Sequence, residues 1–499
     1  MHAKSRWKML QLTWVSFFLT FVVWFNFPPL ASTIAASLHL SAEQVKTLLI
    51  CNVALTIPAR VMVGSLVDRF GPRRVFTALL LLVALPCAAC ALATEFWQLV
   101  VARLLVSCVG GGFVVGIRLV GEWFDRRQIS LAEGVYGGLG NFGMAAATFG
   151  LPALAVALGG ANGWRWAIGL SGAACVAWAF VFYRYVEDTP PGRTFERPTR
   201  SGALQVYSRA DVVALTLAQV PMVCCLGVLA WRLSLVGMLP GATVYVVYAA
   251  LGALLARQCL KVWHVNRDVW AGSGTVGEPG VPRPYAFSQV AVLCLCYAVT
   301  FGGELAVESM LPQYLEKMFG LSVALAGAIG SGFAVASLVA RPLGGLLGDR
   351  VGRRRVVTVS VAGSVAGYAA IAAIGPSWSL PAVAIVIVTT GLFLMAANGA
   401  AFCIAPLIRK PLTGQIAGLV GAYGNVGSVA FLTVLTLAGP SAFFVSMAAT
   451  GGAALMCCLL VLREPAGDAE VGKAFRPSPG PAAPDWADAP DIGAVVEVA

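Results

Sequence analysis

Charge is scarce in this 499-residue chain. Asp, Glu, Lys and Arg make up 11% of it, against 59% hydrophobic residues and a mean hydropathy of +0.82. That balance excludes a soluble globular protein. Apolar runs of about 20 residues succeed one another, the length that crosses the hydrocarbon core of a bilayer. Histidine is nearly missing: the three present (His2, His39 and His264) fall outside the helices read from the sequence, which speaks against a histidine proton relay. The 13 cysteines are scattered through apolar runs, and Cys87-x-x-Cys90 has no second pair and no histidine to complete a metal site. No metal and no other cofactor is expected. A Gly-x-x-x-x-Gly-Lys-Ser/Thr loop is absent, which disfavours an ATP-driven pump, and no nucleophile–base set points to an enzyme. No small-residue cleavage site follows the apolar run from about Leu10 to Ala31, so that run is expected to remain as the first span.

What charge there is has a pattern. The formal net charge of +11 gathers in alternate loops: Lys4, Arg6 and Lys8; Arg69, Arg73 and Arg74; Arg126 and Arg127; Arg350 through Arg355; Arg409 and Lys410. Cations retained on one side of a membrane give this alternation, and nucleic acid does not require it. Both termini are therefore expected in the cytoplasm of a multi-pass protein of the plasma or inner membrane, whose surroundings are the lipid bilayer. The expected fold is all-α. Apolar runs beginning near residues 10, 45, 76, 97, 130 and 164 make a first six-helix half, 1–186. A linker, 187–285, contains two extra apolar stretches at about 212–230 and 242–255, read as two additional spans, with interfacial or re-entrant helices as the alternative. A second six-helix half, 286–463, has runs near 287, 321, 356, 380, 412 and 441. The tail, 464–499, is rich in Pro, Ala, Gly and acidic residues and is expected to be disordered.

Two repeats relate the halves. Arg60, Gly64, Asp68, Arg69 and Gly71 recur at one constant offset as Arg341, Gly345, Asp349, Arg350 and Gly352. Each set begins with an arginine about two helical turns inside an apolar run, which costs several kcal/mol in a bilayer and needs a reason. Two arginines at one depth in opposite halves suggest a single shared anionic ligand. The second repeat, Gly-x-x-Gly-x-x-Gly-Asn-x-Gly, appears as Gly134, Gly137, Gly140, Asn141 and Gly143, then as Gly418, Gly421, Gly424, Asn425 and Gly427. Small residues let membrane helices approach closely. Packing does not need an asparagine at the same place twice; an amide there can donate to an oxyanion.

Six plus six helices, with Gly-x-x-x-Asp-Arg-x-Gly after the second helix of each half, resemble the major facilitator superfamily. The glycine–asparagine segments resemble the nitrate signatures of its nitrate/nitrite porter family, and Arg60 and Arg341 match that family's two substrate arginines. The resemblance covers nearly the whole chain apart from the inserted pair and the tail. It implies import of nitrate, and of nitrite, by alternating access, by a protein working as a monomer. It also implies that the Asp-Arg loops act as conformational latches and that aromatic rings pack near the anion. Phe113, Tyr297 and Phe301 fit that pattern, and Phe25 more loosely. A guanidinium fork suits a planar anion with three equivalent oxygens, which an ammonium does not.

Tyr297, Phe301, Glu304 and Glu308 share one helical stripe. Nitrate cannot carry protons near neutral pH, so proton symport needs a protein group. Glu304 is the candidate, with a plain ion-pair role as its alternative, and Glu308 is expected to be solvated. Exchange of nitrate for nitrite, transport of another small anion and a transport-dead sensor are the other readings. Arg103 matches a superfamily motif and serves function or packing. Arg118 and Glu122, one turn apart, read as a structural pair or a gate.

Overall fold

In lipid every backbone donor and acceptor must be satisfied within its own segment, so the apolar runs can only form helices. The computed structural model describes residues 2–125, 127–159, 162–198, 203–271, 285–321 and 323–464. The expectations for Arg126 and for the tail beyond 464 lie outside the described residues.

The first half is α1 (Ser5–Leu38), α2 (Ala42–Phe70), α3 (Pro72–Leu92), α4 (Phe96–Trp123), α5 (Ile129–Gly159) and α6 (Gly163–Tyr185). The inserted pair is α7 (Arg209–Leu235) and α8 (Gly241–Val265). The second half is α9 (Phe287–Phe319), α10 (Val323–Val351), α11 (Arg353–Ala372), α12 (Leu380–Ile408), α13 (413–438) and α14 (440–460). Gly439, at φ 81°, with Pro440 behind it, breaks the chain between α13 and α14. Twelve stretches among the described residues are long and apolar enough to cross a membrane, α7 and α8 included. Both inserted helices run past the apolar stretches read from the sequence. In α8 the added turns carry Arg257, Lys261 and His264, whose apolar stems let a helix continue beyond its hydrophobic stretch. His264 thus lies in the last turn of a helix and His2 begins one, against the sequence reading; His39, with a positive φ, caps the end of α1.

Crossed contacts join the halves. α2 packs on α13, and α5 packs on α10 and α12. The inserted α7 packs against α2 and α13, where Tyr423 donates to the Ala218 carbonyl (2.9 Å). Within each half, α5 packs on α1 and α13 on α9.

Candidate functional site

Arg60 stands eleven residues before Gly71, the turn that ends α2, and Arg341 stands eleven before Gly352, the turn that ends α10. At 1.5 Å per residue each arginine sits about 16 Å from its helix end, half the depth of a hydrocarbon core. Arg60 is 0% exposed and Arg341 is 2% exposed. The signature glycines make room for them crosswise. A Cβ at Gly418 would lie 2.5 Å from the Arg60 carbonyl, and one at Gly134 would lie 2.6 Å from the Arg341 carbonyl. Gly421 and Gly137 then face the two arginine side chains themselves. Each half's signature therefore cradles the other half's arginine. Gly140 and Gly424, one turn on, face inward within their own halves, on Phe17 and on Tyr297 with Phe301; Gly143 and Gly427 meet the backbones of α1 and α9.

The two guanidiniums meet different partners. Arg60 donates from Nε to the Gly110 carbonyl (3.1 Å) and from Nη1 to the Gly421 carbonyl (2.7 Å). A 3₁₀ turn, Cys108–Gly111, interrupts α4 at that point, and its looser ladder leaves Gly110 available as an acceptor. Nη2 of Arg60 is buried without a partner. Arg341 instead donates from Nη2 to both oxygens of Glu304, at 2.9 and 2.7 Å. The same carboxylate accepts from Asn141 (3.2 Å) and from Asn398 (2.7 Å). Asn425, the counterpart of Asn141, reaches only the Gly421 carbonyl, at 3.4 Å.

Aromatic rings wall the space around both arginines. The Phe301 centroid lies 4.9 Å from Cζ of Arg60 and 5.8 Å from Cζ of Arg341, so the two share one ring. Phe113 lies 5.7 Å from Arg60, Tyr297 stacks on Phe301 at 4.9 Å, and Phe402 abuts Tyr297 edge-on at 4.4 Å. Phe25 does not reach the arginine. It packs on Phe21 and Trp24, and the α1 ring that faces Arg60 is that of Trp24, at 5.8 Å. Because α1 is apolar all round, the sequence gives no face by which to choose between these neighbours. Arg103 fixes Trp24: it donates to the Trp24 carbonyl (2.8 Å), to Asn26 (2.6 Å) and to Asn52. Trp24, Asn398 and Phe402 have no repeated counterpart, and sequence reasoning passed them over. Glu308 is not solvated. Both its carboxylate oxygens are buried without a hydrogen bond, because its stripe of α9 faces the interior.

Asp68 accepts backbone N–H groups of Gly414 and Gln415 (both 2.8 Å), at the positive N-terminal end of α13. Asp349 accepts from Leu131 N–H (3.0 Å) at the start of α5 and pairs with Arg353 (2.9 Å), which also donates to Ser130. Gly64 and Gly345 permit these approaches, since a Cβ on either would strike the backbone of Gly414 or Ser130. Arg69 and Arg350 are exposed and stay outside these contacts. Arg118 stands 3.6 Å from Asp68 and pairs with Glu122 (2.9 Å); Glu122 reaches across to Lys410 (3.0 Å). The pair read as structural thus also ties one half to the other. Arg73 does more than set topology: its N–H donates to Asp188 (2.7 Å), and its side chain donates to the Tyr183 carbonyl (2.8 Å). Partial burial raises the Asp188 carboxyl above its ordinary range, against the pull of Arg73. Among the described residues no His, Cys, Asp and Glu group could hold a metal ion.

Residues 13–260 and 293–490 match the family described as the Major Facilitator Superfamily. The nitrate/nitrite transporter NrtP of Nostoc punctiforme is 44% identical over 93% of this chain and 93% of its own length. This chain belongs to the nitrate/nitrite porter family of the major facilitator superfamily. It is a multi-pass membrane transporter and not an enzyme. The NrtP protein of Picosynechococcus is 40% identical over 93% of this chain and 94% of its own. The proton:xylose symporter XylE shares the fold alone, at a TM-score of 0.61 and 11% identity, over 93% of this chain and 97% of that one.

Proposed function

We propose that this transporter imports nitrate, and also nitrite, across the cell membrane as a monomer by alternating access, driven by protons, with both termini in the cytoplasm. The named substrates of the two NrtP relatives support the choice of anion. The observation that carries the reading is the unequal state of the two arginines: Arg60 meets only backbone carbonyls and keeps its Nη2 unpartnered, while Glu304 occupies Nη2 of Arg341 and leaves its Nε unpartnered.

An anion entering between them takes the free donor of Arg60 at once. It must compete with Glu304 for Arg341. A proton on Glu304 removes the competing charge and releases the second guanidinium, so proton and anion strengthen each other's binding. Asn425, whose Nδ2 makes only a long contact to the Gly421 carbonyl, donates to the same anion in this reading. Phe113, Tyr297 and Phe301 exclude water, which suits a weakly hydrated planar anion and strengthens each charged contact. The halves then rock about the crossed pairs α2–α13 and α5–α10. Opening at the loop end breaks the Asp68 and Asp349 contacts and the Glu122–Lys410 pair, which act as latches. The basic loops support putting that end in the cytoplasm.

The test is labelled nitrate uptake into proteoliposomes with an inward proton gradient or with internal nitrite. Uptake driven by the gradient alone supports symport. Uptake that requires internal nitrite would replace it with exchange, a reading favoured by how completely Arg341, Asn141 and Asn398 already satisfy Glu304. No uptake in either condition, from folded protein, would reject nitrate as the substrate.

A further inference from the structure

Glu308 lies four residues beyond Glu304 on α9, one helical turn, about 6 Å, further from the latch loops. Both its oxygens are buried and neither has a hydrogen-bond partner, although buried polar groups are nearly always paired. Packing alone would be served as well by leucine or glutamine. Among the described residues, the charged groups that act on Glu308 are Glu304 and Arg341. Arg341 already spends its Nη2 on Glu304. One guanidinium can balance one carboxylate, so two carboxyls a turn apart beside a single arginine hold one negative charge and one proton between them. Such a pair can pass the proton along the stripe without creating a second unbalanced charge.

We propose that Glu308 is the station through which a proton from the outer side reaches Glu304. The Glu308 carboxyl passes its proton to the Glu304 carboxylate, the negative charge moves back from Glu304 to Glu308, and a proton from external water then restores the Glu308 carboxyl. Arg341 is thereby freed for the anion. Glu308 has no hydrogen bond to Arg60 or to Arg341, so in this reading it governs proton supply and not recognition. This inference rests on the proton-coupled reading of Glu304.

The experiment compares wild type, Glu308→Gln and Glu308→Asp in proteoliposomes, with two readouts each. One is nitrate uptake driven by an inward proton gradient. The other is exchange of labelled for unlabelled nitrate at equal pH on both sides, which needs no net proton movement. Glu308→Gln is expected to lower gradient-driven uptake at least tenfold and to leave exchange within about twofold of wild type. Glu308→Asp, which keeps the carboxyl, is expected to restore most of the drive. Full gradient-driven uptake by Glu308→Gln overturns the relay. Equal loss of uptake and exchange in folded Glu308→Gln, unrelieved by Glu308→Asp, overturns it in favour of a packing role. A wild type with exchange but no gradient-driven uptake removes proton coupling itself, and the relay with it.

Discussion

Arg60 and Arg341 occupy matching places in related halves, on matching helices, each cradled by the other half's glycines. Their surroundings differ. Around Arg60 the acceptors are backbone carbonyls, which carry no full charge, and the Nη2 group is left over. Around Arg341 stands a carboxylate with two asparagine amides of its own. Duplication kept the scaffold, and chemistry entered by breaking its symmetry on α9. A strictly symmetric site would hold two uncompensated cations and bind an anion whatever the pH. In the proposed mechanism the acid on one side makes binding conditional on a proton.

The largest consequence concerns stability. Arg341→Ala leaves Glu304 buried without its guanidinium, and breaking a buried ion pair in this way costs about 3–5 kcal/mol. Arg60→Ala leaves only carbonyl oxygens unpaired and should cost clearly less. Both variants lose nitrate uptake, but thermal unfolding in detergent should separate them. Adding Glu304→Gln to Arg341→Ala should recover most of the lost stability and none of the transport. Equal melting temperatures for the two single variants would mean that the Glu304 pair contributes nothing special.

Next comes the pH dependence. In wild type, nitrate affinity should fall as pH rises, because the ionised Glu304 reclaims Arg341. Glu304→Gln removes the competitor at every pH. Its nitrate affinity should be flat across the titration and exceed that of wild type at the alkaline end by roughly tenfold, about 1.4 kcal/mol. Nitrate titrations followed by tryptophan fluorescence or calorimetry would measure this. A parallel fall in both proteins would sink the competition.

The proposed latches offer a third comparison. Asp68 accepts two backbone N–H groups from the opposite half, and Asp349 accepts one while sharing its charge with Arg353. Hydrogen bonds to a charged group contribute about 1.5–3 kcal/mol each. Asp68→Asn should therefore shift the equilibrium toward an open loop end more than Asp349→Asn does. Distances between spin labels on the loop ends of α4 and α12 would report the shift, and the reverse order would assign the main latch to the second half.

The duplicated scaffold was legible in the chain because a repeat announces itself by its offset: Arg60 with Arg341, Asp68 with Asp349, Gly134 with Gly418. Helix count and depth followed from hydropathy. Which helix faces which did not. Asn398 meets Glu304 across 94 positions of sequence, and nothing periodic marks it. The crosswise cradling of each arginine by the other half's glycines was hidden for the same reason, since one-dimensional spacing names the small residues and not what they approach. Glu308 shows the limit of reading burial from distance along a helix. Its place toward the helix end suggested water, and its stripe kept it inside.

The smallest expected difference separates the two asparagines, and it bears most directly on the broken symmetry. Asn141 donates to Glu304, so Asn141→Ala withdraws one hydrogen bond from the carboxylate, about 1 kcal/mol. That loss favours the protonated acid and should move the pH profile of uptake toward higher pH. Asn425 touches no acid, and its amide has only a long contact to its own helix. Asn425→Ala should weaken nitrate binding several-fold and leave the midpoint of the pH profile where it was. Shifted midpoints in both variants would mean that Asn425 also reaches Glu304 during the cycle, and that the asymmetry belongs to one conformation of the transporter and not to its mechanism.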